Sequence, residues 1–126
     1  MKLIDTWHLP IKTVSEQNMQ REHWSVKAKR HKTQKLHVLL HWQEMGMFYQ
    51  SLFSLPIHLE LIRLSPRPLD HDNLAYSMKW VLDSICECFR PGLAPGQADN
   101  TKEITVSYKQ QKGKPQAVII NFYKQD

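Results

Sequence analysis

The hydrophobic period of this chain changes sharply between residues 64 and 74. Upstream, Pro56-Ile-His-Leu-Glu-Leu-Ile-Arg-Leu64 alternates Ile57, Leu59 and Leu61 against His58, Glu60 and Ile62, the pattern of a half-buried strand. Downstream, read at 100° per residue from Asp72 to Phe89, Leu74, Met78, Val81, Leu82, Ile85 and Phe89 fall on one stripe, the core face of an amphipathic helix. Pro66, Arg67 and Pro68 end the strand between the two patterns. A strand that feeds straight into a helix of this kind calls for a sheet with that helix packed on it.

The junction itself carries the candidate chemistry, in Leu69-Asp70-His71-Asp72-Asn73-Leu74. In an extended segment, residues i and i+2 point to the same side, about 6.5–7 Å apart. Asp70 and Asp72 on one side could share a divalent cation, and Mg²⁺ is typically held by one or two carboxylates plus water and substrate phosphate. The competing explanation is local. Asp is a preferred helix N-cap, and an acid in the first turn suits the helix dipole. Opposite the core stripe lie Asp72, Tyr76, Lys79 and Asp83, which stacks Lys79 two turns above Asp72. A lysine beside clustered carboxylates can hold a scissile phosphate.

The remaining elements follow from pattern. Leu3 to Ile11 reads as a strand, with Pro10 placing it at an edge or near its end. Lys12 to Gln20 is a polar loop. Glu22 to Met45 reads as a helix closed by Gly46, its second half packing through Leu36, Leu39, Leu40 and Trp42. Its first half holds Lys27, Lys29, Arg30, His31, Lys32 and Lys35 with no interleaved acid, a pattern suited to phosphate contacts that release counterions. Arg90 to Ala98 is a loop by composition. Glu103 to Lys109 and Gln116 to Tyr123 read as strands joined by a hairpin turn, with Lys112 and Lys114 at its tip. The order predicts one α+β domain over residues 1–126, with a mixed sheet of about four strands and two main helices.

The net charge of +5 favours an anionic partner. No apolar run reaches the roughly 18 residues needed to span a bilayer, and the first residues do not form a signal peptide, so no membrane is expected. Cys86 and Cys88 are the only cysteines; two apart on a helix, they suit neither a disulfide nor a two-thiolate metal site, which fits a reducing cytoplasm. His37 and His41 have the i, i+4 spacing of paired zinc ligands, but no third ligand stands at a recognisable spacing.

Asp70-His71-Asp72-Asn73-Leu74, a downstream helix lysine, then Gly92…Gly96 and Asp99-Asn100 ahead of two C-terminal strands, resembles the RusA-like Holliday-junction resolvases of bacteria and phages. That family is described by Asp-x-Asp-Asn at a helix start and an Asp-Asp pair after a glycine-containing loop. The resemblance covers residues 56–123, and Asn18 to Trp24 is similar to segments of phage members. It implies that Asp70, Asp72 and Asp99 hold Mg²⁺ or Mn²⁺ and are catalytic, with Lys79 in the place of a phage variant's lysine. It further implies a homodimer, branched DNA as substrate and a bacterial or prophage origin. The chain departs from the pattern at Tyr76, where the best-known members have lysine, and at Asn100, the second residue of the Asp-Asp pair.

The expected function is therefore metal-dependent endonucleolytic cleavage of Holliday junctions or other branched DNA. Lys27, Lys29, Arg30, Lys32, Lys35, Arg67, Lys112 and Lys114 would grip the backbone. Two rivals stand beside it. One is a non-catalytic branched-DNA binder with the same fold, motivated by Tyr76 and Asn100. The other is a protein-interaction module whose Asp-x-Asp is only a cap.

Overall fold

The alternation around Ile57 becomes β2 (Ile57–Ser65), the strand that holds the sheet together. In the computed structural model, which describes residues 1–16, 21–49, 55–89 and 103–125 and only the backbone over 46–49, β2 pairs on both sides. Its neighbours are β3 (Ile104–Lys112), parallel, and β4 (Ala117–Lys124), antiparallel. β1 (Lys2–Leu9) pairs antiparallel with β4, so the order is β1-β4-β2-β3 and the sheet is mixed. Pro10 lies just past the end of β1, an edge strand, as its missing N–H requires.

Three helices complete the α+β fold: α1 (Trp24–Tyr49), α2 (His71–Ser77) and α3 (Lys79–Phe89). One face of β2 is buried at every second residue, and Ile57, Leu59 and Leu61 there join Phe122 and Ile120 of β4 and Trp7 of β1. Leu74, Met78, Val81, Leu82 and Ile85 close on that face, and α1 adds Val38, so the stripe read from the sequence is the core face. The other sheet face is mixed, with Ile62, Leu64 and Ile119 beside polar side chains. Glu60 accepts from Asn121 at 2.9 Å and pairs with Lys109 at 3.0 Å, and His58 reaches Thr105 and Ser107. Among the described residues no helix is long and apolar enough to cross a membrane.

Four sequence expectations need correction. The helix after Asp70 is two helices. It breaks at Met78, which takes φ −106° and ψ 9°, and the Ser77 hydroxyl donates to Leu74 O at 2.7 Å. Such back-bonding by serine inside a helix competes with the regular ladder and bends it. α1 starts two residues later than Glu22 and runs through Gly46 to Tyr49; one interior glycine costs only about 1 kcal/mol, which a helix of 26 residues absorbs. Leu36 and Leu40 are about half exposed, and the packed positions of α1 are Gln34, Val38 and, in part, Trp42 and Met45. Finally, β3 and β4 form no hairpin, because β2 lies between them. The link carrying Lys114 straps over the end of β2, where the Gly113 N–H donates to Ser65 O at 3.1 Å. A Cβ at Gly113 would come within 2.8 Å of Leu64 Cδ1, so the strap lies tight on the strand.

Candidate nucleic-acid interface

The two aspartates stand where β2 ends and α2 begins. Asp70 is the N-cap of α2, with extended backbone (φ −67°, ψ 165°), and its Oδ1 accepts from the Asn73 N–H at 3.0 Å. Asp72 is exposed in the first turn of α2. The same-side relation of an extended segment therefore does not hold across them, because His71 between them is already helical. The cap explanation is correct for one oxygen of Asp70. It leaves Oδ2 of Asp70 and both oxygens of Asp72, and neither carboxylate has a cationic partner among the described residues. Solvent-facing carboxylate oxygens of this kind fit a hard divalent cation.

The turn is held from below. The side chain of Gln110 on β3 donates to Leu69 O at 2.6 Å and accepts from the Leu69 N–H at 2.7 Å. One amide thus pins the residue before Asp70 to the neighbouring parallel strand. Asp99, Asn100, Gly92, Gly96 and Asn18 lie outside the described residues. Among the described residues no group of three His, Cys, Asp or Glu side chains could hold a metal, and His41 packs instead on the Trp7 ring, centroids 4.6 Å apart.

Lys79 does not stand over Asp72. Its ammonium lies 3.6 Å from Asp83 and borders a groove between α1 and α3 lined also by Lys32, Lys35 and Trp80 but by neither Asp70 nor Asp72. Asp83, placed opposite the core stripe by the sequence pattern, is 8% exposed. Asp72 lies on α2 and Lys79 begins α3, so the stacking expected of one continuous helix does not apply across the break at Met78. Tyr76 is exposed and meets Trp80 edge-on.

The basic run of α1 divides. Arg30 is a structural cation: it donates to Glu16 at 3.0 and 2.6 Å and to Glu22 at 2.7 Å, and these bonds, the first to Glu16 above all, raise its pKa further. Glu16 is 4% exposed, so Arg30 neutralises a buried carboxylate and is not available to DNA. Lys35 pairs with Glu87 at 3.4 Å. Lys29 and Lys32 are exposed and Lys27 half-buried.

A second set of cations gathers at the strand ends. Arg67, Lys112 and Lys114 are exposed there, and a small cleft lined by Arg67 and Lys112 also holds Gln110. Lys12, missed in the sequence, joins the two sets. It lines one groove with Lys29 and another with Arg67. Arg63, also missed, sits on the buried face of β2 and lines both clefts at the strand ends. Its signal is the alternation of Ile57, Leu59 and Leu61, which continues inward to Arg63 and Ser65. Comparison with family models, with curated proteins and with solved structures finds no match.

Proposed function

We propose that this chain is a divalent-metal-dependent endonuclease acting on branched DNA, with Asp70 and Asp72, together with Asp99, as the metal-holding carboxylates. The observation that carries the proposal is a basic band beside an acidic turn. Lys29, Lys12, Arg67 and Lys112 follow one another through adjoining grooves, and Arg67 is three residues before Asp70. Cations placed in this way neutralise successive phosphates without reading sequence, and Gln110, which lines the last cleft, ties it to the acidic turn through Leu69. A divalent ion bound there, Mg²⁺ or Mn²⁺, supplies water activation and charge neutralisation at the scissile phosphate. Gln110 positions the turn through Leu69, and Asp70 sets the start of α2 through its cap. Lys79, engaged with Asp83, is left out of the catalytic set, and so is Arg30 out of the DNA-binding set.

Two symmetric nicks call for two symmetric active sites, so the working form is a homodimer of the commonest kind, C2. Leu36 and Leu40, one turn apart and half exposed on α1, offer apolar surface for that contact. The non-catalytic branched-DNA binder is the second reading, supported by the exposed Tyr76 where a lysine is expected. Incubation of a labelled four-way junction with the protein in Mg²⁺ and in EDTA separates them. Nicks in Mg²⁺ alone support the enzyme; salt-sensitive binding without nicks in either buffer supports the binder.

A further inference from the structure

Arg63 is the only buried lysine or arginine among the described residues, at 7% exposure. A buried charge is ordinarily paired, because removing it from water costs far more than a neutral group would. Arg63 is bonded instead to neutral acceptors: Thr13 Oγ1 at 3.0 Å, Thr13 O at 3.3 Å and Arg67 O at 2.7 Å, with no carboxylate among the described residues. A guanidinium carries five N–H donors, so these bonds leave two. Burial also holds its pKa below the ordinary arginine value, the direction expected of a cation lacking its counter-charge.

The space beside it fits a missing anion. A cleft of about 450 Å³ is lined by Arg63, Lys12, Arg67, Ser15 and Gln116, and no carboxylate lines it. Ser15 is 8% exposed, yet its Oγ has no hydrogen-bond partner among the described residues. A buried hydroxyl without a partner is rare enough to need a reason. Arg63 from β2, Lys12 and Ser15 from the segment before α1, and Arg67 from the turn after β2 line this one cleft, which brings three cations to it. Three cations on one cleft that no carboxylate lines suit an oxyanion, and arginine is the side chain best matched to phosphate.

The geometry points to an oxyanion subsite built from Arg63, Ser15, Lys12 and Arg67 that takes a phosphate group, either a backbone phosphodiester of nucleic acid or free phosphate. It rests on the nuclease proposal only for the source of that phosphate. Bound there, a phosphate gives Arg63 the counter-charge it lacks and anchors the strand beside Asp70.

The test is titration of the full chain with inorganic phosphate in EDTA, followed by thermal melting and calorimetry. The melting temperature should rise with phosphate concentration. Arg63→Met and Lys12→Gln should each bind phosphate roughly tenfold or more weakly, the loss expected for charge-assisted hydrogen bonds. Should Arg63→Met fail to fold, Lys12→Gln and Arg67→Gln, which replace exposed side chains, decide the matter. An oligothymidine lacking terminal phosphates that displaces inorganic phosphate marks the backbone as the source. Free phosphate binding without displacement marks a free phosphate ligand, and either result supports the subsite. No phosphate-dependent stabilisation, equal stabilisation in all variants, or acetate acting as well as phosphate would overturn it. The nuclease proposal fails separately: a protein that binds phosphate but never nicks a junction keeps the subsite and loses the enzyme.

Discussion

Asp70 serves the fold and, in the proposal, the chemistry, and the two are separable by choice of substitution. Its Oδ1 caps α2, so Asp70→Ala should cost about 1 kcal/mol in urea unfolding, whereas Asp70→Asn, which caps as well, should unfold near the wild-type midpoint. Both should lose nicking if the carboxylate holds the metal. Glu60 gives a pH signature on the opposite sheet face. The hydrogen bond from Asn121, and then Lys109, holds its carboxyl below the ordinary value of 4.5. A carboxyl lowered on folding adds stability that is present above that value and lost as pH falls through the lowered one. Melting of wild type should therefore drop on acidification more steeply than that of Glu60→Gln, and parallel curves would contradict the assignment. Arg63 shows what a residue-by-residue reading overlooks. Its inward position was legible from the strand period, but a charged side chain at the end of a buried face ordinarily marks the exit of the strand, and only its neutral partners reveal it as buried.

The pieces of secondary structure were largely legible because each carries its own period: two in β2, 3.6 in α3. What the sequence could not show are relations between pieces. β4 inserts between β1 and β2, so the expected hairpin became a strap, since strand order depends on contacts far apart in the chain. The break at Met78 leaves no mark, because the apolar stripe continues on both sides of it and no proline or glycine punctuates it. Gln110 is likewise silent in sequence, one glutamine on an exposed strand end, yet it holds the acidic turn. Gln110→Ala should remove both bonds to Leu69, lower stability by about 1–2 kcal/mol and reduce nicking more than binding. Equal loss of both activities would mean that the turn does not depend on this anchor. On α1, the division of the basic run sets a sharper expectation than the run itself. Lys29→Gln with Lys32→Gln should flatten the salt dependence of DNA binding by about 0.9 per lost contact with no loss of stability. An unchanged slope would remove α1 from the interface.

At the scale of the whole molecule, cations line the grooves leading from α1 through Lys12 to Arg67 and Lys112, and Gln110 in the last of them holds Leu69, the residue before Asp70. The position is a consequence of topology: β2 and β3 are parallel, so both deliver their C-terminal ends to one edge, and the chain must turn there to enter α2. The central claim is that the acidic turn cuts what the basic band holds. Mg²⁺-dependent cleavage of a four-way junction by wild type and Asp72→Asn, with binding followed in Ca²⁺, tests it most directly. Asp72 is exposed in the first turn of α2, so the amide should leave the fold intact while removing a charge proposed to hold the metal. The expected result is cleavage by wild type, none by Asp72→Asn, and junction affinity equal or slightly higher in the variant, which has one negative charge fewer on the phosphate path. Equal cleavage by the two proteins, or none by either, would contradict it.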